Sequence, residues 1–81
     1  MKVRFKHAFL KDFEKLPNEY KQRIEQIVFH EVPKLETLQN IKSMRKIKKD
    51  KNYFRIRVGH YRIGFQDRDG VLIFMRVLHR Q

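Results

Sequence analysis

The stretch Tyr53-Phe54-Arg55-Ile56-Arg57-Val58-Gly59-His60-Tyr61-Arg62-Ile63-Gly64-Phe65 decides how this chain folds. Phe54, Ile56 and Val58 alternate with Tyr53, Arg55 and Arg57. Successive strand side chains point to opposite faces, so the run reads as a half-buried strand with its arginines outward. Gly59-His60 is a short turn. Beyond it Tyr61, Ile63 and Phe65 alternate with Arg62, Gly64 and Gln66, a second strand of the same kind. Asp67-Arg68-Asp69-Gly70 reads as the next hairpin turn, with Gly70 suited to a positive φ. Residues 71–78 are almost all apolar, which predicts a central strand buried on both faces.

Upstream, Lys2-Val3-Arg4-Phe5-Lys6 alternates in the same way and predicts a strand showing Val3 and Phe5 to a core. Phe9, Phe13 and Leu16 recur at i, i+4 and i+7, the spacing of an amphipathic helix. Pro17 and Asn18 interrupt it, with Asn18 placed to cap a second helix. There Tyr20, Ile24, Ile27 and Val28 form the apolar stripe, opposite Glu19, Arg23, Glu25 and Glu31. Pro33 ends or kinks this helix. Residues 34–50 read two ways: Leu35, Leu38 and Ile41 could extend a helix, and the basic run after Met44 resembles a loop. The order of strand, helix, helix and three-stranded antiparallel meander gives one α+β domain over residues 1–81, with the helices on one sheet face.

Composition narrows the function. The 81 residues carry 20 Lys and Arg against 9 Asp and Glu, a formal net charge of +11. One small core is all this length supports, which excludes a two-domain enzyme with a cofactor-binding half. With no cysteine there is no disulfide framework and no thiol nucleophile, and a reducing compartment, the cytoplasm, is expected. No apolar run is long enough for a membrane helix. No metal site is expected, because no His, Asp and Glu set has ligand spacing. There is no glycine-rich phosphate loop, and Ser43 is the sole serine.

The charge is not spread evenly. Residues 42–62 hold nine basic side chains against Asp50 alone, so net +8 falls in a quarter of the sequence. A polyanionic partner follows, nucleic acid or an acidic protein segment. Lys46, Lys48, Lys49 and Lys51 read either as electrostatic attraction for RNA or as a solvated loop. The arginines follow the strand period. Arg55 and Arg57 share a face, Arg62 alternates away from the core of the next strand, and Arg76 and Arg80 have matching parity on the last. With strands ~4.8 Å apart, these guanidiniums can converge on one patch. Planar Arg forks bind phosphate oxygens bidentately and stabilise developing negative charge. The other reading makes them ordinary outward residues of a sheet solvated on one face. Among the histidines, His7 and His30 read as surface residues and His60 as a turn residue. His79, beside Arg80, is the candidate for proton transfer.

The string from Tyr53 to Ile63, the Asp69-Gly70 turn and the apolar strand ending Val77-Leu78-His79-Arg80 resemble the RelE/ParE superfamily of bacterial and archaeal toxin–antitoxin toxins. The N-terminal strand and two-helix hairpin fit too, so the resemblance spans essentially the whole chain. It implies a microbial RNase-like fold. For RelE-type members it implies cleavage of messenger RNA in the ribosomal A site without metal or cofactor: the ribose 2′-OH attacks the adjacent phosphate and the 5′-OH leaves. Carried over by position, Arg55 and Arg57 fall on the family's pair of basic strand residues, where RelE itself has Lys. Arg62 falls on the arginine after the tyrosine, and Arg80 on the arginine ending the last strand. Arginine stays protonated and is a poor general base, which turns attention to His79. Family members commonly continue past this His-Arg pair with a tyrosine-bearing segment, expected to be missing from a chain read only to Gln81.

The resemblance thus implies a toxin that inhibits translation, with a cognate antitoxin, the ribosome and messenger RNA as partners. No membrane is involved, and DNA enters only through an antitoxin complex. The alternative is a ParE-type toxin that inhibits DNA gyrase by protein binding. A blander third reading is a nucleic-acid-binding module without chemistry.

Overall fold

The computed structural model describes residues 1–47 and 52–80. Its strands are β1 (Lys2–Phe5), β2 (Met44–Lys46), β3 (Tyr53–Val58), β4 (Tyr61–Arg68) and β5 (Val71–His79). They form one sheet in the order β1-β5-β4-β3-β2. β2 to β5 are antiparallel neighbours, and β1 lies parallel to β5. The chain between this parallel pair passes through helices and then through β2, β3 and β4; α1 (His7–Glu14) and α2 (Asn18–Glu25) follow β1 and cover one face of the sheet. Among the described residues no helix is long and apolar enough to cross a membrane.

Between Asn18 and Lys46 the chain departs from expectation at three points. Residues 44–46 are a strand rather than a loop, because Met44, Arg45 and Lys46 pair with Ile56, Arg55 and Phe54. Three residues are too few for alternation to show in sequence. Asn18 is the first residue of α2 and not its cap; Pro17 holds the cap position, and no side chain caps the helix. Beyond Glu25 the chain continues as a wide π-helical turn, Gln26–Glu31, and a short α3 (Val32–Lys34). Pro33 lacks an N–H, and its ring would crowd the carbonyl of Phe29 in a regular α-helix, so the turn before it widens. Leu35 is already extended. Leu38–Asn40 forms a separate 3₁₀ turn, with Ile41 buried after it.

The core lies between the helices and the sheet. Phe9, Ile24, Val28, Val32, Ile56, Ile63, Phe65, Leu72 and Phe74 are essentially fully buried. Phe5, Phe9, Phe29 and Phe74 pack ring on ring, the tightest pair being Phe5 and Phe29 at 4.7 Å between centroids. Each buried Phe contributes about 1.5–3 kcal/mol of transfer free energy. The expectation that residues 71–78 are buried on both faces fails. Leu72, Phe74 and Val77 are buried, whereas Leu78 is 53% exposed on the uncovered face. The run is apolar because β5 also floors an open surface.

Two turns set the register of the meander. Asp69 and Gly70 both have positive φ, at 53° and 85°, the pattern of a type I′ hairpin. Gly59, at φ 58°, opens the other turn. A Cβ there would stand 2.6 Å from the Tyr20 hydroxyl, so α2 leaves room only for glycine. The third irregularity is a bulge. Phe65 pairs with Phe74, yet Gly64 pairs with Arg76, leaving Met75 as an extra residue of β5.

Candidate nucleic-acid interface

The uncovered face of the sheet carries the arginines. The β3–β4 ladder sets Arg57 opposite Arg62 and Arg55 opposite Gly64, while Ile56 and Ile63 turn into the core. The β4–β5 ladder sets Arg62 opposite Leu78 and Gly64 opposite Arg76. Arg80 follows Leu78 by two residues and emerges on the same face; its backbone N–H donates to the His60 carbonyl at 2.6 Å. A cleft of about 580 Å³ runs across this surface. Arg55, Arg62, Arg76 and Arg80 line it, and Ile47, Met75 and Leu78 add apolar floor.

Electrostatics reflect the convergence. The charge of Arg55 above all, then burial, then the charges of Arg57 and Arg80, hold the Arg62 guanidinium below its ordinary pKa. It stays protonated at neutral pH, since a guanidinium does not give up its proton in proteins. Arg62 Nε is buried with no hydrogen-bond partner among the described residues. No Asp or Glu lines the cleft among the described residues. A sheet face that sets guanidiniums against each other without counter-ions costs stability and fits a ligand that brings the negative charge.

The expected residues do not all share this site. Arg55, Arg57, Arg62 and Arg80 come together. Arg76 borders the cleft but is held by Asp12 of α1, with Nε to Oδ2 at 2.7 Å and a second bond to Oδ1 at 3.2 Å. His79 pairs with Tyr61, whose ring packs on Tyr20 of α2. The His79 ring meets Tyr61 edge-on at 5.0 Å and lies 6.1 Å from His60, and it lines the cleft together with Arg55, Arg62, Arg76 and Arg80. Lys46 shares the side of its β3 partner Phe54, its ammonium 6.0 Å from that ring, and so turns away from the arginines. Lys48, Lys49 and Lys51 lie outside the described residues.

Two residues were not nominated from sequence. Arg45 pairs with Arg55 and adds another guanidinium at the β2 side. Its signal was the single alternation Met44-Arg45, lost inside a basic run. Asp12 of α1 is the other, holding Arg76 and the Val77 N–H. Its signal is a carboxylate in the last helical turn, where it opposes the helix dipole and calls for a tertiary partner.

A family model described as ParE toxin of type II toxin-antitoxin system, parDE, matches residues 3–81. The chain belongs to this toxin family. It is 43% identical over 82 residues to Toxin RelE3 of Methanocaldococcus jannaschii, a match covering 100% of this chain and 92% of that protein. Among solved structures it resembles a chain of the RelB-RelE antitoxin-toxin complex from Methanococcus jannaschii, with a TM-score of 0.83 and 41% identity over 95% of this chain and 89% of that one. A chain of the RelBE2 toxin-antitoxin complex from Mycobacterium tuberculosis shares the fold at a TM-score of 0.75 and 22% identity, covering 98% and 96%. This RelE/ParE-family toxin therefore carries the α+β fold expected from its sequence, extended to a mixed five-stranded sheet.

Proposed function

We propose that this toxin is an endoribonuclease acting on messenger RNA at the ribosome, and that a cognate antitoxin restrains it. The observation that carries the reading is the convergence of Arg55, Arg57 and Arg80 around Arg62, without a carboxylate lining the cleft among the described residues. Such a cluster suits a phosphate whose charge grows during reaction. The ribose 2′-OH attacks the adjacent phosphorus, the 5′-oxygen leaves, and the guanidiniums neutralise the non-bridging oxygens. The arginines act as electrostatic stabilisers, because none gives up its proton. His79 is the histidine that lines the cleft among the described residues, and it is assigned the proton transfer. Ile47, Met75 and Leu78 offer apolar surface to an unpaired base, and single-stranded RNA presents such bases.

The test is to incubate the protein with translating ribosomes and map messenger ends. Codon-linked cuts in the A site that vanish in Arg62→Ala support the reading; intact messages refute it. A second reading rests on the family model, whose description names ParE toxins. On that reading the chain inhibits DNA gyrase by protein binding, and trapped gyrase–DNA complexes beside intact messages would favour it.

A further inference from the structure

Arg80 reaches the arginine face only because β5 carries an extra residue. Leu72 and Phe74 are buried, and strict alternation would send 76, 78 and 80 after them toward the helices. The register slips instead at Met75, so that Val77 is the next buried residue and Arg76, Leu78 and Arg80 turn to the open face. The slip falls just beyond the reach of β1. That strand's pairing ends at Phe5 opposite Phe74, followed by one bond from the Lys6 N–H to the Phe74 carbonyl. Past that point the free edge of β5 needs another acceptor. Asp12 supplies it, with Oδ2 accepting from the Val77 N–H at 2.9 Å while the same carboxylate grips Arg76. The Asp12 side chain is 17% exposed and that of Arg76 52%, so the Val77 bond is the more sheltered of the contacts.

We infer that Asp12 is a positioning residue: by bonding Arg76 and the Val77 N–H it locks the bulge and so keeps Arg80 among the phosphate-binding arginines. Three observations meet in this assignment. The carboxylate sits where the helix dipole disfavours it, its partners flank the point where the register slips, and that slip sets the face of Arg80. Asp12 also supplies Arg76 with a counter-ion, whereas none of the hydrogen bonds or ion pairs among the described residues gives one to Arg55, Arg62 or Arg80. The inference rests on the proposed RNA-binding role of the arginine face, and its test separates the two.

The sign of one measurement is decisive. Removing a carboxylate from a protein that binds a polyanion should, by charge alone, tighten binding. A positioning role predicts the opposite. Binding of a fluorescent single-stranded oligoribonucleotide to Asp12→Ala, Arg80→Ala and the double variant is measured across a salt series. Asp12→Ala is expected to weaken binding about tenfold, on the scale of one lost charge-assisted contact, and to lower the salt slope by about 1 as Arg80→Ala does. The double variant is expected to be no weaker than Arg80→Ala. Cross-strand NMR contacts report the register independently: Val77 faces Ile63 with the bulge and Arg62 without it. Asp12→Asn, which keeps an oxygen acceptor for the Val77 N–H, is expected to retain the Ile63–Val77 contact and most of the affinity. It serves if Asp12→Ala does not fold. Tighter binding by Asp12→Ala, additive losses in the double variant, or an unchanged register in Asp12→Ala would overturn the assignment. If the unaltered toxin binds no oligoribonucleotide, the functional reading fails, while the NMR register still decides whether Asp12 locks the bulge.

Discussion

Arg57 stands directly across the β3–β4 ladder from Arg62. Two like charges in register repel, and each such pair costs a sheet roughly 0.2–1 kcal/mol relative to a neutral one. Arg45 across from Arg55 repeats the arrangement one strand over. Folding alone would not favour two such pairs side by side.

Relief of that repulsion gives the first prediction. Arg57→Thr puts a good strand former at an exposed position of β3. Stability in urea should rise by about 0.2–1 kcal/mol, while the salt slope of RNA binding should fall by about 1. Loss of both stability and binding would mean that Arg57 serves packing.

Gly64 leads to a second trade. It lies in mid-strand, its φ is not positive, and a Cβ built there meets nothing within 4 Å. A glycine with room for a side chain weakens a strand for no structural return, and such positions often mark close approach of a ligand. Gly64→Ala should therefore stabilise the fold by about 0.4–1 kcal/mol and reduce oligoribonucleotide affinity. Paired thermal melts and anisotropy titrations would show both, and unchanged affinity would clear Gly64 of a role at the cleft.

At Gly59 the same substitution should do the reverse. Alanine would have to hold a positive φ and push aside a Tyr20 ring already packed on Tyr61. A loss of about 1–3 kcal/mol is expected from backbone strain alone. Equilibrium unfolding measures it, and a loss below 0.5 kcal/mol, the usual range of innocuous surface changes, would contradict the turn geometry.

The Asp12–Arg76 pair sets an acid limit. The hydrogen bond from Arg76 is the largest cause holding the Asp12 carboxyl below its ordinary value; burial opposes it, and the Val77 N–H and the charges of Arg76 and Lys15 add to the lowering. A carboxylate with a depressed folded-state pKa stabilises fully above its unfolded pKa of about 3.9 and loses that contribution as pH falls through the lowered value. Asp12→Asn should thus be less stable than the unaltered chain at pH 6, and the two should converge as pH drops below about 3.9. Urea midpoints measured from pH 6 to pH 2 would show the gap closing, and a gap independent of pH would rule the linkage out.

The sequence made part of this legible. Alternation in Phe54–Val58 and Tyr61–Phe65 was strong enough to place Arg55, Arg57 and Arg62 on one face, because each strand has a buried and an open side. Arg80 was nominated on parity within β5, but its face depends on the bulge, which rests on Asp12 some sixty-five residues earlier. A side-chain contact of that range leaves no periodic trace. The short β2 escaped for a related reason: its pairing partner, rather than its own three residues, makes it a strand. His79 is nominated from its place beside Arg80, and it lines the same cleft with its ring edge-on to Tyr61.

The strand order carries a consequence for synthesis. β5 lies between β1 and β4, yet it follows both of them in sequence. Lys2 waits for Val71, and Phe5 for Phe74, before the parallel pair can close. Contacts so distant in sequence are slow to form. The nascent chain can build helices and the β3–β4 hairpin early, but Phe9 has no Phe74 to pack against and Arg62 has no Arg80 beside it until translation of the sheet is complete. The arginine cluster is thus completed by the strand made after the two that supply Arg55, Arg57 and Arg62, and the polypeptide carries an open, unfinished face until β5 arrives.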